Sequence, residues 1–323
     1  MPDTEITFDS GAVTYHGTFL APDGFDGPRP AALLLAGSGP TDRNGDSALL
    51  PGNIGTLRFL ADLLAEHGFA SLRFDKLGSG ATGIGPHDVD DIAELGFTSA
   101  FVDPAAEALR FLAARPEVDP SHLVVVGHSD GALVGLALSQ QADAPDIAAL
   151  ALLEPLAVRL LDLLTTQINS QLDAVTATGQ LPQPVADELR LALSGAVEAL
   201  RADGTIPDDL PEPLQNAGLV HANAKALAEE DALDPRVLAG QLADGTPVLT
   251  SCSAKDIQVS VADVDGLDAA LTGARLTSVR MADASHVLKH LGDARSNGQD
   301  YVADLPWSTE FSEPFARWLD SLT

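Results

Sequence analysis

Ser129 stands at the centre of Gly127-His128-Ser129-Asp130-Gly131, a G-x-S-x-G pattern that follows the apolar run Leu123 to Val126. A nucleophile on a sharp strand-to-helix turn needs small neighbours, because the backbone there is strained and strand and helix approach closely; Gly127 and Gly131 meet that need. The bare pattern is common, but a Val-rich strand before it and a helix after it form the context in which the serine does nucleophilic chemistry. A Gly-rich turn of a parallel sheet would explain the glycines and leave the serine unexplained. A serine hydroxyl is a poor nucleophile at neutral pH, so it needs a base, and the base needs a partner that fixes its tautomer. Three histidines follow Ser129: His221, His286 and His290. Glu154, Asp256, Asp263 and Asp265 are the candidate acids for that partner.

Other chemistries find less support. His286 and His290 lie four residues apart without the Glu of a zinc-binding H-E-x-x-H helix, so no metal is expected. Cys252, the single cysteine, excludes an intrachain disulfide and a multi-Cys metal site, and reads as a small buried hydrophobe. No G-x-G-x-x-G opens a helix after the first strand and no Walker sequence occurs, so no cofactor is expected.

The elements that must position these residues follow from periodicity. Thr4 to Ser10 and Val13 to Pro22, joined through Gly11, partly alternate polar with apolar residues, as an antiparallel hairpin does. Ala31 to Ala36, Ala70 to Phe74, Leu123 to Val126, Ile147 to Leu153 and Pro247 to Ser251 are nearly continuous in apolar residues, the pattern of strands buried on both faces. Between them, Ile54 to Gly68, Ser99 to Ala114 and Ala132 to Ala142 carry apolar residues at helical spacing, with Gly68 marking a helix end. Alternating strand and helix implies an α/β class with a mostly parallel central sheet flanked by helices. From Arg159 to Gly245 the rhythm breaks: Leu160 to Val175 and Pro184 to Ala202 are Leu-rich helical stretches between Pro-containing loops. A structureless connection of that length is unusual, so 159–245 is expected to be a helical cap inserted after strand six, with 1–158 and 246–323 forming the core. The alternation resumes with Val261 to Leu271, the strand Arg275 to Met281 and a terminal helix from Thr309 to Leu322.

Four segments together give a resemblance: Gly37-Ser38-Gly39-Pro40-Thr41-Asp42-Arg43, Arg73-Phe74-Asp75-Lys76-Leu77-Gly78-Ser79-Gly80, the Ser129 pentapeptide, and Ser285-His286-Val287-Leu288-Lys289. The sequence resembles the α/β-hydrolase fold, and within it the bacterial serine carboxylesterases with a GSGPTDR-type segment. The resemblance covers nearly the whole chain, and within 159–245 it amounts only to a helical insertion in the usual place. It implies the chain order Ser, then Asp or Glu, then His. On that basis His286, in the loop after the strand Arg275 to Met281, is the base, with His290 as the alternative on a shared helical face. His221 falls too early. Asp256, in the loop leaving the strand Pro247 to Ser251, is the acid; Glu154 remains a rival, and Asp263 and Asp265 read as helix N-terminal carboxylates. The family's oxyanion donors map to the backbone N–H groups of Asp130 and Ser38, with Ala36 where many relatives carry a His. Arg43 is open to two readings, a shaper of the pocket floor or an ion-pair partner of Asp42. His128 is expected to pack or hydrogen-bond beneath the elbow.

Composition bounds the partners. The 323 residues hold 18 Lys and Arg against 47 Asp and Glu, a net charge of −29. Such a surface repels phosphate backbones and anionic lipid, so neither nucleic acid nor stable membrane association is expected. With 45% hydrophobic residues, charges interspersed among them, and a mean hydropathy of +0.11, the chain folds as a globular protein. The segment MPDTEITFDS has no basic or apolar run of a signal peptide, and a cytoplasmic location is expected. The expected activity is hydrolysis of small-molecule carboxylic esters through an acyl-enzyme on Ser129, with small to medium acyl groups, because aromatic residues make up only 5% of the chain. A serine peptidase, a lipid-directed hydrolase and a catalytically silent binding protein of the same fold are the alternatives, and the oligomeric state is open. Only four lysines are present, at 76, 225, 255 and 289.

Overall fold

In the computed structural model, which describes residues 3–22 and 27–323, eight strands form one sheet. They are β1 (Thr4–Ser10), β2 (Val13–Leu20), β3 (Arg29–Leu35), β4 (Ala70–Phe74), β5 (Val118–His128), β6 (Ala149–Leu153), β7 (Pro247–Ser253) and β8 (Arg275–Met281). Their order across the sheet is β1-β2-β4-β3-β5-β6-β7-β8. The first pairings, β1 with β2 and β2 with β4, are antiparallel; every later pairing is parallel.

The apolar runs become the central strands because helices cover both faces. All five residues of β4 and of β6 are buried. The helix Thr56–Glu66 buries Leu57, Leu60, Ala61 and Leu64 on one stripe and stops before Gly68, whose φ of 81° no β-carbon-bearing residue adopts cheaply. The helix Thr309–Asp320 buries Phe311, Phe315, Trp318 and Leu319 against Phe69, Val124, Val126 and Leu249. Each large side chain so buried contributes roughly 1.5–3 kcal/mol relative to exposure. The helix Asp130–Leu138 is almost wholly buried, as its run of Gly, Ala, Val and Leu requires. Residues 99–114 do not form one helix: a π-turn over Thr98–Val102 precedes the helix Asp103–Ala113, where Pro104 fits the first turn.

Two compact units result. The sheet unit comprises Met1–Pro86, Phe101–Ala157 and Pro235–Thr323, and the helical unit comprises His87–Ala100 and Val158–Asp234. The helical unit thus takes in a segment between β4 and β5 and ends at Asp234, whereas the change of sequence pattern spans 159–245. Its core is Leu161, Ile168 and Leu172 of the helix Leu160–Ala177 against Leu189, Leu193 and Leu200 of the helix Gln183–Asp203. Asp231, its side chain 1% exposed, ties the unit together. Its carboxylate accepts the Leu161 N–H at 2.9 Å, Arg159 Nη2 at 2.6 Å and Arg201 Nε at 2.9 Å. Burial opposes its ionisation, but these donors hold the carboxyl below the usual range. Lys225 Nζ donates to the Glu94 carbonyl within the same unit. Among the described residues no helix is long and apolar enough to cross a membrane.

Candidate active site

Ser129 lies at the turn between β5 and the helix Asp130–Leu138 with φ 57° and ψ −122°, a conformation that costs a non-glycine residue about 1–3 kcal/mol. Its own backbone is fully engaged. The Ser129 N–H donates to Leu153 O at 2.8 Å, and its carbonyl accepts the N–H groups of Ala132 at 3.0 Å and Leu156 at 3.2 Å. The flanking glycines are dictated by contact: a Cβ on Gly127 would collide with the Gly131 carbonyl oxygen, and one on Gly131 with the carbonyl oxygen of Leu35.

Asp256 leaves the end of β7, and His286 lies in the loop after β8. Their side chains meet, with His286 Nδ1 2.7 Å from Asp256 Oδ2. Asp256 Oδ1 accepts the N–H groups of Gln258 at 2.6 Å and Val259 at 3.2 Å. Burial works against the charge, yet His286 and these donors hold the carboxyl below its usual range. An ionised Asp256 can only accept, so His286 Nδ1 carries the proton and Nε2 is the basic nitrogen. Ser253 stitches the two loops: its Oγ donates to Ala284 O at 2.5 Å and accepts the Ala284 N–H at 3.2 Å. Lys289 Nζ donates to the carbonyls of Tyr301 at 2.7 Å and Ala303 at 2.9 Å, and the His286 ring packs 6.3 Å from Tyr301.

The opposite wall comes from the loop after β3. A Cβ on Gly37 would lie 3.1 Å from Ser129 Cβ, so this loop abuts the serine. Buried Lys76 donates its ammonium to the Gly37 carbonyl, and Thr41 Oγ1 donates to Ser38 O at 2.8 Å. Ser38 is exposed and Asp130 partly buried, the latter at the first position of its helix, where backbone N–H groups point out of the helix end. Arg43 pairs with Asp75 at 2.8 Å and Glu5 at 2.6 Å. Of the two readings of Arg43, the ion pair with Asp42 does not form, because Asp42 turns its carboxylate onto the N–H groups of Asn44 and Asp46.

Other sequence candidates fall elsewhere. His221 is exposed in the helical unit beside Asp208. His290 is exposed, and 285–290 is a tight turn with Leu288 at φ 67°, so no helical face joins it to His286. Asp263 answers the Ser260 N-cap in the first turn of the helix Val261–Ala270, and Asp265 pairs with Arg280. Cys252 is buried, and burial pushes its thiol well up. Two groups gain partners that the sequence did not name. His128 Nε2 is 2.8 Å from the His286 carbonyl, and burial, with the nearby His286, drives its imidazole down to about 4. Glu154, wholly buried with φ 45°, lies beside Asp256. The ligand atoms of Glu154, Asp256 and His286 fall within 4.8 Å of one another. This set does not fit a metal ion: two ligands about 2.0 Å from a tetrahedral ion stand roughly 3.3 Å apart, whereas Nδ1 and Oδ2 are in direct contact.

No protein-family model matches the chain. It is 25% identical over 303 residues to Esterase EstD of Thermotoga maritima, an alignment covering 94% of this chain and 65% of that protein. The chain therefore spans just under two thirds of the length of the curated relative it matches. Among solved structures it is similar to DcsB in complex with a substrate analogue, with a TM-score of 0.58 at 16% identity and 99% of both chains covered. It is also similar to Est1E from Butyrivibrio proteoclasticus with ferulic acid bound, with a TM-score of 0.57 at 14% identity over 98% of this chain and 96% of that one. The fold is that of the α/β hydrolases, a mostly parallel eight-stranded sheet flanked by helices.

Proposed function

We propose that this α/β-hydrolase-fold chain is a serine hydrolase that cleaves carboxylic esters through an acyl-enzyme on Ser129. One observation carries the reading: a buried 2.7 Å contact joins His286 Nδ1 to Asp256 Oδ2, in a fold whose β5 is followed directly by a serine at φ 57°. That contact orients the imidazole and leaves Nε2 basic. Ser129 Oγ attacks the acyl carbon while His286 Nε2 takes the hydroxyl proton. Negative charge gathers on the former carbonyl oxygen, where the N–H groups of Ser38 and Asp130 stabilise it. His286 then returns its proton to the departing alcohol as the ester C–O bond breaks. Water, activated by the same nitrogen, attacks the acyl-enzyme and releases the acid and Ser129.

The preferred substrates under this reading are neutral esters with small to medium aliphatic acyl groups. An aromatic content of 5% offers few stacking platforms, and a net charge of −29 repels anionic substrates at long range. Wild-type and Ser129→Ala proteins assayed on p-nitrophenyl esters of increasing acyl length test both statements. Loss of about 10³-fold or more in kcat on removing Ser129 is expected, with rates highest for short and medium chains. Unchanged turnover by Ser129→Ala would sink the mechanism, and a strong preference for long-chain or feruloyl esters would sink the substrate class. Failure of a fluorophosphonate probe to label Ser129 would favour a silent binding protein instead.

A further inference from the structure

Glu154 follows β6, and its side chain is wholly buried. It is one of three non-glycine residues with positive φ among the described residues; another is Ser129 itself. Backbone strain of this kind persists only where surrounding contacts over-determine it, and it concentrates at functional sites. The Glu154 N–H donates to Ser251 O at 3.1 Å, which holds the residue in place at the end of its strand. Its carboxyl group faces inward, with Oε2 accepting the Ser253 N–H at 3.1 Å and Oε1 the Ser251 hydroxyl at 3.4 Å.

Two buried carboxyl groups beside each other cannot both ionise without a cation between them. Among the described residues, the basic side chain in contact with the pair is His286, and it is bound to Asp256. The donors decide which carboxyl holds the charge. Asp256 accepts two backbone N–H groups and the imidazole N–H, whereas Glu154 accepts one backbone N–H and one long hydroxyl contact. The other titratable groups around the pair are the His128 imidazole from β5, the Cys252 thiol from β7 and the Tyr301 phenol, all buried and none of them a cation at neutral pH.

We infer that Glu154 is a positioning residue for the Ser129 site: as a neutral acid it donates a hydrogen bond to the Asp256 carboxylate and fixes the oxygen that receives His286 Nδ1–H. Burial, then the charge of Asp256, pushes Glu154 well above the usual carboxyl range, in the same direction. The pair carries one negative charge, matched to the one imidazolium that forms during turnover.

The role in catalysis rests on the esterase reading, but the protonation state is read without turnover. Infrared difference spectra of Glu154→Gln against wild type should show, at neutral pH, the loss of a protonated-carboxyl C=O band. Absence of that band in the wild type overturns the inference, whatever the activity. Proton NMR should show a low-field His286 Nδ1–H resonance that shifts upfield in Glu154→Ala. In ester hydrolysis, Glu154→Ala should lower kcat roughly 10- to 100-fold, the worth of one hydrogen bond to a charged group, with KM nearly unchanged. Glu154→Gln, whose amide still donates, should recover at least about fivefold of that loss, a fraction of one hydrogen bond. Wild-type kcat in a folded Glu154→Ala protein, or no recovery by Gln, overturns the positioning role. Should Glu154→Ala fail to fold, the infrared band and the Gln variant still decide. Wild-type protein without esterase activity would fail the esterase reading alone.

Discussion

His128 Nε2 is 2.8 Å from the backbone carbonyl oxygen of His286 and donates a hydrogen bond to it. The residue preceding the elbow serine thereby holds the main chain of the proposed base, with the two rings 4.9 Å apart. A donor at Nε2 requires only the neutral imidazole, which agrees with burial forcing its protonation down to about 4.

Acid should therefore destabilise the protein through His128. The unfolded chain takes up a proton on this residue below about pH 6.5, while the folded protein resists until about pH 4. Stability is complete above the unfolded value and falls as the pH drops through that window, by roughly 3 kcal/mol at its lower end. Denaturant titrations of wild type and His128→Gln between pH 7 and pH 4 check this: the variant should be less stable at pH 7 and show a shallower acid decline. Equal slopes for the two proteins would count against it.

Lys76 should matter to turnover more than to substrate binding. Its ammonium is anchored on the Gly37 carbonyl, directly before Ser38, and sits 5.6 Å above the Phe101 ring. Lys76→Met leaves that carbonyl without its cation and loosens the loop that holds the proposed Ser38 donor. We expect kcat to fall roughly tenfold, less than the 10²–10³ typical of deleting a donor outright, with KM nearly unchanged. A tenfold rise in KM at constant kcat would show that the loop serves binding instead.

Asp231 should control the stability of the helical unit. Replacing it by Ala strips the acceptor from Arg159, Arg201 and the Leu161 N–H at one stroke. A buried ion pair broken from one side costs about 3–5 kcal/mol, and the lower end applies because both guanidinium groups reach water. Asp231→Asn, which keeps an accepting oxygen, should lose less. Hydrogen exchange at Leu161 together with denaturant unfolding checks the ranking, and an unperturbed Asp231→Ala protein would refute it.

Strands buried on both faces need uninterrupted apolar runs, and β4 begins and ends where its run does; the edge strands β1 and β8 also keep the bounds read from the sequence, β1 from its alternation. β5 extends beyond the apolar run Leu123 to Val126, since Asp119-Pro120-Ser121-His122 continues the strand through backbone pairing of Val118 with Arg29, which hydrophobicity does not register. The helices Ala224–Ala232 and Pro235–Ala239 escaped for a related reason, being short and polar or Pro-initiated. At the candidate site, Gly127 and Gly131 advertise the elbow through their spacing about Ser129, although only Gly127 is kept small by a local neighbour, Gly131, whereas Gly131 is kept small by Leu35 of β3. Chain order, taken from the resemblance, singled out Asp256 and His286. The parts of His128, Glu154 and Lys76 depend on contacts across 158, 97 and 39 residues, and no periodicity or spacing encodes a contact of that range.

The lysines share one habit. Lys76, Lys225, Lys255 and Lys289 each place their ammonium on a main-chain carbonyl, of Gly37, Glu94, Gly292, and Tyr301 with Ala303. Of the four, only Lys225 is exposed. Acylating reagents that seek primary amines would therefore meet an exterior of carboxylates and guanidinium groups, with Lys225 the side-chain amine most open to capture. Tethering or tagging through that one lysine would label the helical unit and spare the three amines that fasten loops in the sheet unit.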